Sequence, residues 1–230
     1  MSGAARETQA RDSVLATIRR SLGVTGREAP RRDSVDARLA AARPGVIPAR
    51  GQLDEGARTD LFCGKAEASA ATVARVATEA EVPGEVARFL RDSNAPATIR
   101  MGSDPALASL PWSTTALDVS TGPSAGSDVN GLSRAFGAVA ETGTLALLSG
   151  QDNPTTLNFL PDNHLIVVAA RDIAGDYEAV FGRVRGRYGQ GQMPRTLNLV
   201  TGPSRSADIE QTLILGAHGP RRLHVIVVDG

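Results

Sequence analysis

The chain has 230 residues, enough for one sizeable core, and its 41% hydrophobic and 22% charged content is that of a soluble globular protein. Its formal net charge is zero, and its 25 basic residues (Lys65 is the only Lys) scatter instead of forming a stripe, which argues against a general attraction to nucleic acid. Aromatics make up only 3%, so Val, Leu, Ile and Ala must build the core, and the single cysteine, Cys63, excludes an internal disulfide, an iron–sulfur cluster and a Cys-based zinc site.

At the N-terminus, residues 1–20 are polar and charged, with no apolar signal segment, and no run in the chain approaches the roughly 20 apolar residues of a membrane span. The expected location is the cytoplasm, with no membrane span. Residues 12–23 read as a short amphipathic helix with Val14, Leu15, Ile18 and Leu22 on one face and Gly23 as its stop. A helix this short needs a docking surface, either a partner or the domain itself. Residues 24–50, with scattered Pro, Gly and Arg, read as a mobile linker, so residues 1–50 form an appendage and 51–230 the domain.

From residue 52 the pattern alternates between helix and strand. Helix is predicted over 54–68, strand over 71–76, and helix over 81–92 with Pro83 near its start. Short strands follow at 97–101 and 115–119, then a Gly/Ser-rich connection over 120–131. Strands at 135–140 and 144–148 flank Glu141-Thr142-Gly143. Residues 164–170 make the clearest buried strand, 173–188 a helix, and the closing unit is strand 196–201, helix 207–217 and strand 222–228. Repeated strand–helix–strand units with apolar strands predict an α/β fold, a mostly parallel sheet covered by helices on both faces.

Open α/β sheets bind ligands at the carboxyl ends of their strands, and three polar clusters are predicted at such ends. One is the turn Thr201-Gly202-Pro203-Ser204-Arg205-Ser206-Ala207-Asp208-Ile209-Glu210. There the unpaired N–H groups of a helix start, the Ser204 and Ser206 hydroxyls and the two-pronged Arg205 guanidinium would grip a carboxylate or phosphate. Asp208 and Glu210 would relieve the macrodipole of that helix, or Glu210 would turn toward Arg205. A second cluster is Ala140-Glu141-Thr142-Gly143-Thr144. Glu141, a carboxylate between Val139 and Leu145, is either a base or nucleophile or a residue that holds its loop. Gly143 marks a turn or a close approach. The third is the amide- and hydroxyl-rich loop Asp152-Asn153-Pro154-Thr155-Thr156-Leu157-Asn158, leading to His164.

The three histidines, His164, His218 and His224, lack metal-ligand spacing, so no metal site is expected. A Ser206–His218–Asp208 triad is set aside because a helix would separate Ser206 and His218 by about 18 Å. Neither a Walker loop nor G-x-G-x-x-G is present, which leaves nucleoside triphosphate chemistry and a standard dinucleotide site unsupported.

The two clusters at 140–144 and 201–210, together with Leu215-Gly216-Ala217-His218-Gly219-Pro220, closely resemble the lactate utilization protein C family, defined by the LUD domain. The resemblance covers about residues 50–230. It implies a NagB/RpiA/CoA-transferase-like fold, a three-layer α/β/α arrangement. It also implies a place in bacterial oxidation of L-lactate to pyruvate, beside two partner proteins that carry the iron–sulfur clusters, with no cofactor on this chain. By analogy with CoA transferases it invites a nucleophilic role for Glu141.

The combined expectation is a subunit that binds a small carboxylate or phosphate-bearing ligand. Glu141 would be its candidate catalytic residue, and Thr142, Gly143, Thr144, Gly202, Ser204, Arg205, Ser206 and Glu210 would be its ligand contacts. The alternatives are a stand-alone acyl-transfer or isomerase-type enzyme using Glu141, or a purely structural assembly subunit.

Overall fold

The structure is a computed structural model describing residues 3–41, 43–189, 191–207 and 213–230. Backbone contacts divide the chain into two units, residues 1–46 and 47–230. In the first, helix α1 spans Gly3–Leu22 and helix α2 spans Ala29–Ala41. The predicted linker over 24–50 is therefore corrected, since half of it is helix. Its Ala, Arg and Leu favour helix, and Pro30 falls in the first turn, where its missing N–H costs nothing. Glu28 organises the connection by accepting hydrogen bonds from the Thr25 N–H (2.6 Å) and the Gly26 N–H (3.0 Å), which lower its pKa to about 2.

The second unit begins with helix α3 (Glu55–Ala68), whose N-terminus is capped by the Asp54 carboxylate accepting from the Ala57 N–H. Strand β1 (Thr72–Val76), helix α4 (Val82–Asp92), strand β2 (Thr98–Met101), the short helix α5 (Pro105–Ala108) and strand β3 (Asp118–Thr121) follow. Next come β4 (Asn130–Arg134), β5 (Gly137–Val139), β6 (Thr144–Leu148), β7 (Asn163–Ala169), β8 (Ile173–Ala174) and helix α6 (Tyr177–Tyr188). The chain closes with β9 (Leu197–Val200), β10 (Arg205–Ala207), β11 (Leu213–Leu215) and β12 (Arg222–Val228).

Six strands form a wholly parallel sheet in the order β1-β12-β7-β4-β2-β3. The expected parallel sheet is present, but its two faces are covered differently. On one face α4 lays Val82, Val86, Phe89 and Leu90 against Leu132, Leu165 and Ile226. On the other, Ile166, Val168, Val225 and Val227 meet Phe62 and Ala66 of α3 together with Ala138, Leu145 and Leu147. Those last three belong to a second, four-stranded sheet, β8-β5-β6-β9, which is mainly antiparallel. Helix α6 closes its outer side through Val180, packed on Val139 and Ala146.

The passage between sheets occurs within one peptide step. Ala135 N–H still donates to Val167 of the parallel sheet (2.8 Å), while Phe136 N–H donates to Ala146 of the second (2.9 Å). The single strand expected over 135–140 is thus the hinge between two sheets.

Strand β4 also corrects the predicted Gly/Ser connection over 120–131. It carries one large apolar residue, Leu132, so no alternation reveals it, yet it lies buried in the sheet. Its polar groups are satisfied inside: Asn130 Nδ2 donates to the Pro96 and Thr98 carbonyls (both 2.9 Å), and Asn163 Nδ2 donates to Asn130 Oδ1 (2.7 Å). The helix expected over 173–188 begins later, at Tyr177, because Ile173–Ala174 pairs with β5 first.

The helix expected over 207–217 is contradicted: Arg205–Ala207 and Leu213–Leu215 pair as an antiparallel hairpin. The run Leu213-Ile214-Leu215 is as fit for strand as for helix, and pairing with 205–207 decides it. Asp208, Ile209 and Glu210 lie outside the described residues.

Gly143 ties the hairpin β5–β6 to α3. Its φ is 68°, and a Cβ there would lie 2.5 Å from the Ala66 nitrogen. Gly143→Ala is expected to cost roughly 2–4 kcal/mol in urea unfolding, through both conformation and overlap. Gly64→Ala, within α3 and with nothing near the added carbon, should stabilise by roughly 0.5–1 kcal/mol. Equal effects from the two would show that the contact at Gly143 yields freely.

Candidate functional site

The turn after β9 does not lead into a helix, so the expected helix N–H groups are not what it offers. It lines a cavity of about 270 Å³ instead. Gly202, with φ of 73°, presses on the end of α3, where an added Cβ would lie 2.1 Å from the Ser69 carbonyl oxygen. Arg205 donates to that same carbonyl through Nη2. This is a favourable place for a cation, at the negative end of a helix, and it leaves the other guanidinium N–H groups to the cavity that Arg205 lines.

Thr201, Ser204, His218 and Gly219 line the cavity beside Arg205. Ser204 backbone is locked to both neighbours, its N–H donating to Pro220 (2.9 Å) and its carbonyl accepting from Gly216 (3.0 Å). Ser206 lies in β10 opposite Ile214. His218 sits in the turn after β11, not at a helix end, so the helical distance that set aside the Ser206–His218 pair is withdrawn. Glu210 and Asp208 lie outside the described residues.

The opposite wall is more unusual. His164, at the amino end of β7, and Asn158, from the third polar cluster, line the cavity and are both buried. Ser133 of β4 joins them: its Oγ is 3.0 Å from His164 Nε2 and donates to Asn158 Oδ1 (3.3 Å). With that polarity Ser133 accepts from the Nε2–H of His164. Nδ1 is then an acceptor and Asn158 Nδ2 a donor, and neither atom has a partner. Burial pushes the His164 pKa down to about 3, so the ring is neutral at pH 7. Sequence reading singled out the loop over 152–158 and its lead to His164, but Ser133 gave no signal because β4 itself was not recognised.

Glu141 does not line this cavity. It is 6% exposed, and both Nε and Nη2 of Arg50 approach its Oε2 at 3.2 Å. The same segment is fastened by Gln52 Nε2 donating to Asp176 (2.8 Å). Thr142 and Thr144 join a hydroxyl cluster: Thr144 Oγ1 lies 2.7 Å from Thr142 Oγ1, 2.8 Å from the Tyr177 hydroxyl and 2.7 Å from Thr201 Oγ1. Through Thr201, the second predicted cluster touches the first without sharing its cavity. Gly143 makes its close approach to α3.

The third histidine is a packing residue of the far face. His224 stacks on Phe89 with ring centroids 4.2 Å apart, and its Nε2 lies 2.9 Å from Glu85. Burial lowers its pKa despite that carboxylate. Among the described residues no group of three or more His, Cys, Asp or Glu could hold a metal ion, and no helix is long and apolar enough to cross a membrane.

A family model described as the LUD domain matches residues 60–228. The lactate utilization protein C of Geobacillus sp. (strain WCH70) is 36% identical over 91 residues, 39% of this chain and 38% of that protein. That of Shouchella clausii (strain KSM-K16) is 33% identical over 91 residues, 40% of each chain. The chain therefore matches about two fifths of these relatives' length. A crystal structure of a DUF162 family protein from Deinococcus radiodurans superposes with a TM-score of 0.58 at 28% identity, covering 76% of this chain and 99% of that one.

The buried imidazoles set a pH dependence. The folded-state pKa of His164, about 3, lies below its ordinary 6.5, so the unfolded chain binds the proton more readily. Stability should be full above pH 6.5 and fall as pH drops from there toward about 3, by up to about 1.4 kcal/mol per pH unit for this group. His224 shifts in the same direction. In urea unfolding between pH 7 and about 5, His164→Gln should reduce the slope without abolishing it. An unchanged slope would mean that the ring protonates in the folded protein at little cost.

Proposed function

The chain belongs to the LUD domain family, and from that premise we propose that it is a subunit of a bacterial system oxidising L-lactate to pyruvate. We read its cavity between Arg205 and His164 as the seat of a small hydroxy-carboxylate. The parallel sheet is taken as that of a NagB/RpiA/CoA-transferase-like fold. With Cys63 the only cysteine, the iron–sulfur clusters belong to two partner proteins, and this chain supplies substrate binding in the cytoplasm.

The observation that carries this reading is the pairing of a guanidinium with a neutral donor–acceptor wall in one small cavity. A volume of about 270 Å³ is below the usual size of pockets for drug-sized ligands and suits an acid of a few heavy atoms. Neutral His164 offers no charge to a carboxylate, so the anion belongs at Arg205 and the Ser204 hydroxyl. Asn158 Nδ2 and His164 Nδ1 together match a hydroxyl, which both accepts and donates. The opposite amide orientation would exchange the two roles and still match it. Glu141, neutralised by Arg50, is assigned to holding the segment over 49–52.

Calorimetry with L-lactate and pyruvate tests this. Arg205→Ala should weaken both by about tenfold or more, the loss of a charged hydrogen bond worth roughly 1.5–3 kcal/mol. Asn158→Leu should weaken both, because its Nδ2 donates to the hydroxyl oxygen of lactate and to the keto oxygen of pyruvate alike, whereas His164 Nδ1, which accepts the hydroxyl proton, should make the unaltered chain hold lactate more tightly than pyruvate. Lactate affinity indifferent to Arg205→Ala would remove the cavity from the function.

A further inference from the structure

A second cavity, about 590 Å³, lies at the carboxyl ends of β2 and β4 and shares no residue with the first. The topology of the sheet accounts for its position. From β2 the chain moves on to β3 on one side, whereas from β4 it passes through β5 and β6 of the second sheet and returns in β7 on the other. Where connections diverge between neighbouring parallel strands a crevice opens, and ligands of open α/β sheets bind there. The histidine-walled cavity, by contrast, borders the amino end of β7.

The loop that walls this crevice is held tightly. Ser103 N–H donates to the Gln151 carbonyl (3.0 Å), and a Cβ on Gly102 would lie 2.0 Å from the Asp152 carbonyl oxygen. Asn153 on that loop is 5% exposed. Its Nδ2 donates to the Leu148 carbonyl (3.2 Å), while Oδ1 has no partner. Asn153 lines the cavity, and a buried acceptor without a donor on such a residue calls for an N–H or O–H partner.

The cations of the cavity are not equally committed. Arg183 is consumed by Asp172 and by the Phe136 carbonyl. Arg134 gives Nη2 to Glu79 (3.0 Å). Arg187 lies over the Phe136 and Tyr188 rings, 5.7 and 5.9 Å from their centroids, and makes no salt bridge among the described residues. Ser149 accepts from Thr196 N–H (2.8 Å), leaving its own hydroxyl hydrogen to donate. Asp104 is occupied with the amides that start α5, and Asp152 is exposed.

We propose that this crevice binds a phosphate monoester whose body carries hydroxyl donors, a sugar phosphate or a mononucleotide. Arg187, with the remaining N–H groups of Arg134 and the Ser149 hydroxyl, takes the phosphate. Asn153 Oδ1 accepts from a hydroxyl of the body. The volume falls within the range of pockets that enclose ligands of that size.

Calorimetry on the full chain with glucose 6-phosphate and with adenosine monophosphate, against glucose and adenosine, is the test. At least one ester should bind more tightly than about 1 mM and at least about tenfold more tightly than its unphosphorylated counterpart. Which ester binds identifies the source of the phosphate. Arg187→Ala, an exposed position, should weaken that ester about tenfold or more, with urea unfolding unchanged, and Arg205→Ala should leave it alone. No binding of either ester, binding unmoved by Arg187→Ala, or binding lost with Arg205→Ala would each overturn the proposal. The lactate reading stands or falls separately, on Arg205.

Discussion

The C-terminus of α3 is the contact around which the domain is arranged. Gly143 presses on its Lys65–Ala66 backbone and Gly202 on its Ser69 carbonyl, each so closely that a methyl group could not be inserted. Arg205 closes the same helix end with a hydrogen bond. Phe62 and Ala66 of that helix, meanwhile, pack in the core between the two sheets. One helix end thus locates the hairpin β5–β6, the turn after β9 and the guanidinium of the histidine-walled cavity. Because the approach is backbone to backbone, no side-chain rearrangement can relax it, and the position of Arg205 inherits the rigidity of the core.

The parallel sheet contributes the other wall in a different way. An interior built from aliphatic side chains has few means of orienting a polar ligand, and here a polar seam runs through it. On neighbouring strands it consists of two buried sets, Asn130 with Asn163 and the Pro96 and Thr98 carbonyls, and Ser133 with His164 and Asn158. Buried polar groups are costly unless paired, and most of these are. The exceptions, His164 Nδ1 and Asn158 Nδ2, belong to residues that also line the cavity. That coincidence separates a seam that merely orders the strands from one that also presents chemistry to a ligand.

Much of this was legible in the residues, and what was not has identifiable causes. Strands β7 and β12 each carry an unbroken apolar run, over 165–169 and 225–228, buried on both faces, and such runs announce a parallel sheet. Strand β4, equally central, overlaps the end of the connection predicted over 120–131 and gives no strand signal of its own, because its asparagine and serine find their partners on other segments, a relation that no window along the chain contains. The hairpin at 205–215 looked like helix because Leu213-Ile214-Leu215 is ambiguous until its partner strand is known. Gly202, Ser204 and Arg205 are adjacent in the chain and line one cavity. Their surroundings were not legible, since the wall facing them comes from residues some forty positions earlier. Glu141 stands between apolar neighbours in the sequence, yet its environment is set by Arg50, which lies at the end of the predicted linker.

The division of the molecule into two sheets explains why polar sites can exist at both ends of the parallel strands. A sheet covered by helices alone would bury its two faces in similar layers. Here the chain leaves the parallel sheet after Ala135, and the second sheet takes over part of one face. At the carboxyl end that departure carries Phe136 and the end of β6 over the crevice beside β2 and β4. At the amino end it brings the turn after β9 across to His164, with Thr201 linked through Thr144 to the hydroxyl cluster of the hairpin. Both cavities lie where the two sheets part, and each takes an arginine from outside the sheet and an unpartnered amide or imidazole from a buried wall. The sheet crossing is therefore the source of concave, partly polar surface in a core otherwise too aliphatic to provide it.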